Sequence, residues 1–212
     1  MSCCRQCAGI EREFNAQLAA RELSAYRRGG VRGTTRLLID LLREGPVEGA
    51  SLLDIGGGIG AIQHELAPAA SRIISVEASS AYLEAQKRES ARRGYGERIT
   101  YLAGDFVAQA GAVPDSDIVT LDRVICCYHD MPALVTRSAA RARRLYGAVF
   151  PRRTWWNALG VVLLNVVSRL RRSPFRSFLH SPERIDGLLR DAGLRPRTVR
   201  DTLFWRVAVY TR

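Results

Sequence analysis

Lysine is almost absent from this 212-residue sequence, since Lys87 is the only lysine among 32 basic residues. The formal net charge is nevertheless +11, and such a charge raises nucleic acid or an anionic membrane surface as a partner. The arginines are scattered through every predicted element and form no single basic tract. This distribution argues against nucleic acid. It favours a phosphate- or carboxylate-bearing small molecule, because the arginine fork suits oxyanions.

Cysteine is also scarce. The five cysteines form one cluster and one adjacent pair: Cys3, Cys4, Cys7, Cys126 and Cys127. Neighbouring cysteines rarely bridge each other, and no stretch resembles a signal peptide. We therefore expect reduced thiols and a cytoplasmic location. Three clustered thiols without a fourth ligand make a weak metal site, and we expect no bound metal.

No apolar run is long enough to span a bilayer, which takes about 20 residues. The longest, over residues 155–170, is interrupted by Asn157 and Asn165. Three interpretations stay open for it: a buried helix, a lid over a substrate pocket, or an interfacial helix in peripheral contact with a membrane. Arginines bracket this run at Arg152, Arg153, Arg169, Arg171 and Arg172.

Hydrophobic periodicity predicts an α/β fold in one compact domain. Two helices, over 11–28 and 33–43, precede the first strand. Strands are predicted over 51–55, 72–76, 99–102, 118–121, 148–150, 195–201 and 203–210, with helices from residue 61 and over 80–93, 131–145, 155–170 and 182–192. The short link between the last two strands forces them antiparallel. We expect a Rossmann-like, seven-stranded, mostly parallel sheet with a C-terminal antiparallel hairpin and helices on both faces.

A glycine loop follows the first predicted strand in the segment Asp54-Ile55-Gly56-Gly57-Gly58-Ile59-Gly60. Glycines allow a sharp turn and a close approach to a ligand, and the next helix offers unpaired N–H groups at its start. The pattern predicts a nucleotide-like ligand. The same spacing also fits a dinucleotide site, and Glu77 would accept ribose hydroxyls in either case.

Three neighbouring features favour S-adenosylmethionine (SAM) over NAD. Asp54 would repel a pyrophosphate but suits an ammonium group. Gly104-Asp105-Phe106 provides an acid for the adenine amino group with an aromatic ring beside it. Two helices precede the loop, whereas NAD domains commonly begin at that strand.

Together with Asp122, these motifs resemble those of class I SAM-dependent methyltransferases over roughly residues 50–150. The resemblance implies that the glycine loop lies under the methionine part of SAM, that Glu77 takes the ribose and Asp105 the adenine, and that Asp122 and Arg123 lie near the transferable methyl. The cofactor-binding residues expected on this basis are Asp54, Gly56, Gly57, Gly58, Gly60, Glu77, Ala78, Asp105, Phe106, Asp122 and Arg123.

Within that superfamily the chain is loosely similar to the magnesium-protoporphyrin O-methyltransferase group. The similarity rests on the N-terminal helices with Tyr26, on Leu121-Asp122-Arg123-Val124-Ile125 and on Ser173-Pro174-Phe175. After the fourth strand this chain reads Cys127-Tyr128-His129, where that group has a His-Tyr-Pro-like segment. The porphyrin substrate and a histidine role are therefore not carried over.

Methyl transfer depends mainly on positioning and on exclusion of water, and a general base is optional. His129 is the candidate base because it follows the fourth strand, beside Asp130; a solvated loop histidine is the alternative. Tyr26 is the candidate that closes over SAM or the acceptor, and packing of a helix aromatic against the sheet is the alternative.

The sequence therefore predicts a SAM-dependent methyltransferase with a small, apolar and anionic acceptor. Residues 1–46 would close over the cofactor, and residues 47–212 would form the core with a lid-like insertion over 152–176. Trp155 and Trp156 would wall the acceptor site, with Arg152 and Arg153 at its rim. An NAD(P)-dependent oxidoreductase and a non-catalytic SAM-binding protein are the alternatives. No Asn/Asp-Pro-Pro-Tyr segment of the kind used on nucleic-acid bases follows the fourth strand.

Overall fold

A computed structural model describes residues 5–212. Its seven strands form one sheet in the order β3-β2-β1-β4-β5-β7-β6. The strands are β1 Ser51–Ile55, β2 Arg72–Glu77, β3 Ile99–Ala103, β4 Ser116–Asp122, β5 Ala142–Pro151, β6 Arg195–Asp201 and β7 Trp205–Thr211. The helices are α1 Arg5–Glu13, α2 Ala16–Gly29, α3 Gly33–Arg43, α4 Ala61–Leu66, α5 Ser80–Arg92, α6 Phe106–Gln109, α7 Met131–Ala140, α8 Trp155–Leu170 and α9 Pro182–Asp191.

Strands β1 to β5 pair in parallel, and β7 pairs antiparallel with both β5 and β6. The predicted α/β fold with a C-terminal hairpin is confirmed. Helices connect each of the strands β1 to β4 to the next strand in the chain. Because these strands are parallel, the carboxyl ends of β1, β2, β3 and β4 lie at the same edge of the sheet. Each candidate cofactor residue follows or ends one of these four strands.

Neighbouring residues of one strand pack into separate cores on the two faces of the sheet. Leu52 packs with α3 and α4, whereas Leu53 packs with α7 and α9. Leu145 and Tyr146 on β5 divide in the same way. This division follows from the two-residue period of a strand, and it places helices on both faces.

The N-terminal region differs from its prediction, because the single helix expected over 11–28 is broken. Phe14 and Asn15 separate α1 from α2, and the Asn15 side chain accepts hydrogen bonds from the backbone N–H groups of Gln17 and Leu18. An asparagine in this position caps a new helix. The break turns α1 back towards the end of α8, where Arg12 donates to the backbone oxygens of Arg171 and Arg172.

The helix predicted over 131–145 ends at Ala140, and β5 already begins at Ala142. Apolar residues of the stretch 142–147 pack into the cores on both faces of the sheet, so tertiary packing favours a strand there over a helix. Among the helices of residues 5–212, none is long and apolar enough to cross a membrane.

Candidate active site

The glycine loop after β1 requires glycine for two different reasons. Gly56, Gly58 and Gly60 have φ angles of +62°, +58° and +81°, which side chains rarely adopt. Gly57 lies so close to the Asp54 carboxylate that a Cβ atom would collide with it and would lie 2.6 Å from Gln63 Nε2. The loop is therefore shaped by its backbone and packed tightly on its inner side.

Asp54 supports this loop from within the core. It is fully buried, and its two carboxylate oxygens accept hydrogen bonds from Thr120 Oγ1 at 2.6 Å and Gln63 Nε2 at 2.9 Å. Burial raises the pKa of Asp54 to about 6. Asp54 does not line the cavity described below. The expected contact with a ligand ammonium group therefore stays a prediction, while its role in orienting the loop agrees with the geometry.

A polar network continues from Asp54 to the outer side of the loop. Gln63 Nε2 also donates to Ser75 Oγ, which donates to Gln86 Oε1, and Gln86 Nε2 donates to the Gly58 carbonyl at 2.6 Å. The network joins β2, α4 and α5 to the loop. Sequence reasoning missed Gln63 and Gln86; their only signal is a polar residue at a core position of a helix.

Glu77 ends β2 and holds the loop from the ligand side. Its carboxylate accepts hydrogen bonds from the backbone N–H groups of Gly58 at 3.0 Å and Ser79 at 2.9 Å. Burial raises the pKa of Glu77 to about 7, and the two backbone donors oppose that rise. A carboxylate has about four acceptor positions, and the backbone donors leave acceptor capacity for a ribose hydroxyl.

Asp105 follows β3 and begins α6. One of its oxygens accepts from the backbone N–H of Val107 at 2.9 Å, and the other accepts from Tyr128 Oη at 2.9 Å. Phe106 is buried beside it. An acid held in this way next to an aromatic ring suits the amino group and the flat face of adenine.

These residues line one cavity of about 470 Å³. Its cofactor side contains Gly56, Gly58, Glu77, Ala78, Asp105, Phe106, Asp122, Arg123 and Tyr128. Its far side is mostly apolar, with Cys7, Ile10, Glu13, Phe14, Leu18, Cys126, Cys127, Leu164, Ser168 and Phe175. A second cavity of about 430 Å³ adjoins it and shares Glu22, Gly56, Gly58, Asp122 and Arg123. The arrangement offers a polar groove for a nucleoside and an apolar chamber for a second molecule.

A family model described as an O-methyltransferase domain matches residues 15–149. The chain belongs to this O-methyltransferase family. The comparison with curated proteins gave no significant match. The matched range spans the glycine loop, Glu77, Asp105 and β4 with its following segment.

Solved structures share the fold. Magnesium protoporphyrin IX methyltransferase (ChlM) from Synechocystis PCC 6803 with bound SAH has a TM-score of 0.74 at 20% identity, covering 98% of this chain and 99% of that chain. An O-methyltransferase family 2 protein from Planctomyces limnophilus DSM 3776, in complex with apigenin, has a TM-score of 0.69 at 18% identity, covering 97% and 64%. An O-methyltransferase family protein from Burkholderia thailandensis has a TM-score of 0.69 at 16% identity, covering 96% and 62%.

The family match identifies a SAM-dependent methyltransferase. Neither the oxidoreductase nor the non-catalytic alternative receives support from it. The side chains of the methyltransferase fit SAM: Glu77 has acceptor capacity for the ribose, Asp105 for the adenine amine, and the cavity side of Gly58 carries no side chain.

Tyr26 does not line the main cavity of the methyltransferase. It is buried against the His64 ring and the Arg93 guanidinium, and its hydroxyl donates to Glu65 at 3.2 Å. Burial raises the pKa of Tyr26 well above its ordinary value. Tyr26 lines the second cavity, beside the glycine loop, and the expectation that it closes over SAM stays a prediction.

His129 is exposed and stacks on the outer side of Tyr128 at a centroid distance of 5.1 Å. It does not line the cavity, a position that favours the alternative of a solvated loop histidine over the candidate base. The short turn Ile125–Cys127 directs the next residue, Tyr128, inwards instead. Tyr128 is the functional neighbour that the sequence analysis missed, and its only signal was its position beside His129.

Helix α8 contributes Leu164 and Ser168 to the cavity wall. The two tryptophans do not line it: Trp155 is exposed, and Trp156 Nε1 donates to the Leu203 carbonyl at 3.3 Å. Over Trp155–Leu170 no side chain is buried, so the buried-helix interpretation is wrong. Arg152 is also corrected, because it bonds to Asp201 and to the Thr202 carbonyl in the hairpin.

Three thiols line the apolar chamber. Cys7, Cys126 and Cys127 are unbridged, and the last two have their sulfur atoms 3.8 Å apart. Cys3 and Cys4 lie outside the described residues. The neighbouring thiols lower the pKa of Cys126 and raise that of Cys127, because a hydrogen bond between them favours one thiolate only.

Proposed function

We propose that this methyltransferase transfers the SAM methyl group to an oxygen of a small, flat, largely apolar acceptor in the chamber beneath α8. The observation that carries the proposal is the continuity of one cavity from Glu77 and Asp105 to the aromatic ring of Phe14 and the side chain of Leu164. Donor and acceptor would share this space without an intervening wall, as in-line transfer requires.

The residues would hold the two molecules as follows. Asp105, Phe106 and Tyr128 take the adenine, Glu77 and Ala78 take the ribose, and Gly56 to Gly58 face the methionine part. Asp122 and Arg123 line both cavities, which supports their location beside the reacting centre. When bound, SAM supplies an electrophilic methyl group on a sulfonium sulfur.

The roof of the chamber is aromatic. Phe14 packs edge-on against Tyr82 at 5.9 Å and against Phe175 at 5.7 Å, and Ser79 Oγ donates to its carbonyl at 2.6 Å. This contact joins α5, the α1–α2 junction and the segment after α8. It supports the proposal that residues 1–46 close over the cofactor and that residues 152–176 act as a lid over the acceptor. The closure excludes water from the transfer.

A carboxylate at the chamber would serve as the base for a phenolic acceptor. Glu13, the last residue of α1, is the acid that this helix contributes to the cavity wall. In this proposal the acceptor O–H proton passes to Glu13 as the new C–O bond forms and the methyl–sulfur bond breaks. A carboxylate acceptor would need no base.

The acceptor class is supported by the chamber wall and by the relatives. Ile10, Phe14, Leu18 and Phe175 suit a flat apolar body. One of the similar structures is a magnesium protoporphyrin IX methyltransferase and another was solved with apigenin, and both of these small molecules are flat. The unbridged thiols of Cys7, Cys126 and Cys127 support a reducing, cytoplasmic location.

The experiment combines binding with transfer. Calorimetry should show SAM and SAH binding and no NAD binding, and Gly58→Val should abolish the SAM signal because its side chain enters the ligand groove. Methyl-labelled SAM is then incubated with flavonoid, phenazine and porphyrin acceptors bearing phenol or carboxyl groups. Label in the acceptor oxygen supports the proposal. SAM binding with label only on nitrogen or sulfur acceptors contradicts O-methylation, and NAD binding without SAM binding contradicts methyl transfer altogether.

A further inference from the structure

Helix α8 exposes a large apolar face that the methyltransferase reaction does not use. Trp155 is 74% exposed and Leu170 is 79% exposed, at the two ends of the helix. Between them the exposed apolar side chains outside the cavity wall are Leu159, Val162, Leu163, Val166 and Val167. Single exposed apolar residues are ordinary, whereas a contiguous set of this kind marks an interaction surface.

Helical geometry separates this face from the cavity. With 3.6 residues per turn, or about 100° per residue, Trp155, Leu159, Val162, Leu163, Val166 and Leu170 share an arc of about 100°. Leu164 and Ser168 lie on the opposite side, where they line the cavity. One side of α8 therefore belongs to the acceptor chamber, and the other is free to contact a second apolar phase.

The turn between β6 and β7, beside the start of α8, exposes two further apolar side chains. Leu203 is 62% exposed and Phe204 is 50% exposed. Trp156 Nε1 donates to the Leu203 carbonyl, and Asn157 Nδ2 donates to the Phe204 carbonyl at 2.8 Å. These bonds fix the turn, with its two exposed apolar side chains, against the start of α8.

The charge around this surface has one sign. Residues 131–182 contain no aspartate or glutamate and ten arginines. Arg153 precedes α8, and Arg169, Arg171 and Arg172 end it, all of them exposed. An apolar face bordered by cations is complementary to an apolar layer covered with anions. A second copy would bring the same arginines against these, and like charges oppose such a contact.

We propose that the apolar face of α8, together with Leu203 and Phe204, docks on the surface of a bilayer rich in anionic lipids. The helix lies in the plane of the interface, with the apolar side chains among the acyl chains and Arg153, Arg169 and Arg171 among the phosphates. In this orientation the acceptor chamber lies on the side of α8 that faces away from the lipid, and docking does not rest on the proposed function.

The test is flotation of the full chain with vesicles, in the absence of SAM and acceptor. One set of vesicles is phosphatidylcholine, and the other contains about one third phosphatidylglycerol. Leu159→Gln with Val166→Gln removes apolar contact without changing charge. Arg169→Gln with Arg171→Gln removes two cations, and Arg88→Gln with Arg190→Gln removes two exposed cations outside α8 as the matched control.

Binding to the anionic vesicles and weak binding to phosphatidylcholine are expected. The Leu159 and Val166 double variant should lose about tenfold or more in partitioning. The Arg169 and Arg171 variant should lose about tenfold or more, at about 1 kcal/mol per cation near the surface, and the Arg88 and Arg190 variant less. Equal binding of all variants, or no binding at any lipid composition, overturns the proposal. A dimer in sedimentation that the Leu159 and Val166 variant dissociates also overturns it, in favour of a second copy. Calorimetry with SAM on the same variants separates the two proposals: SAM binding without vesicle binding contradicts docking alone, whereas absence of SAM binding contradicts the proposed function.

Discussion

The Tyr128 hydroxyl donates to the Asp105 carboxylate at 2.9 Å. This bond joins the segment after β4 to the start of α6 after β3, two positions separated by 23 residues in sequence. Both residues line the cofactor end of the cavity. Asp105, the acid proposed for the adenine, is thus oriented by Tyr128, which lies in the connection between β4 and β5.

We predict that Tyr128→Phe weakens SAM binding by about three- to tenfold, because a hydrogen bond to a charged group is worth about 1.5–3 kcal/mol and part of it supports Asp105. Calorimetry on Tyr128→Phe, Asp105→Asn and the double variant measures the coupling. The two losses should be less than additive. Additive losses would mean that Tyr128 acts on SAM independently of Asp105. His129→Gln, on the outer side of the same segment, is the control and should leave the affinity unchanged.

A second prediction concerns the pH dependence of SAM affinity. Burial raises the pKa of Glu77 to about 7, so the ligand-free protein takes up a proton there as the pH falls through 7. Ribose hydroxyls donate to the ionised carboxylate and favour that form. SAM affinity should therefore be highest above pH 8 and should fall by about tenfold between pH 8 and pH 6.

Glu77→Gln isolates this effect. The variant should bind SAM more weakly at pH 8 and show a flat profile from pH 6 to pH 8 by calorimetry. Glu84→Gln, an exposed acid on α5, is the matched control and should keep the parent profile. A steep profile that persists in Glu77→Gln would assign the titration to another group.

Much of the fold was predictable because its signals are local. The strand β1, the start of α4 and the whole of α8 were predicted with their observed bounds, since apolar runs and glycines delimit them. The break at Asn15 was missed, because the capping asparagine stands inside a continuous helical pattern. The start of β5 was missed because Leu145 and Tyr146 only distinguish strand from helix once both sheet faces exist.

The candidate site was predictable where a residue follows directly from a strand end. Glu77 and Asp105 lie on the cavity wall as expected. His129 and Tyr128 are adjacent in sequence. Which of the two side chains faces the cavity depends on the tight turn before them, and hydrophobic periodicity does not predict that turn. An apolar segment such as α8 looks the same in sequence whether it is buried or exposed.

A third prediction concerns the inner side of the glycine loop. A Cβ atom at Gly57 would collide with Asp54, so Gly57→Ala should lower the free energy of unfolding by about 1–3 kcal/mol, as overpacking does. SAM affinity should fall as well, because the loop is displaced. Urea unfolding and calorimetry measure the two effects. Gly111→Ala, where a Cβ atom meets nothing within 4 Å, should be neutral; if it costs as much as Gly57→Ala, the collision is not the cause.

A fourth prediction assigns the base. Glu13→Gln should lower kcat for a phenolic acceptor by about 10²-fold, the lower end of what a positioned base contributes, and should leave the Kd of SAM unchanged. The loss should be absent for a carboxylate acceptor, which has no proton to give up. His129→Gln should keep full activity with both acceptors. Equal losses of Glu13→Gln with both acceptors would indicate a role in binding or packing instead.

The last prediction separates the two sides of α8 within the reaction. Leu164 lines the cavity, whereas Trp155 is 74% exposed at the start of the same helix. Leu164→Ala should raise KM for the acceptor by about tenfold, since it removes apolar contact of the order of 1–2 kcal/mol, while SAM affinity and melting temperature stay near the parent values. Trp155→Ala should change neither KM nor the melting temperature in detergent-free buffer with a soluble acceptor, because its ring contacts solvent and the adjacent Trp156. If Trp155→Ala instead melts far below the parent, α8 packs against the core in solution, and the acceptor chamber must be sought nearer the second cavity at Tyr26.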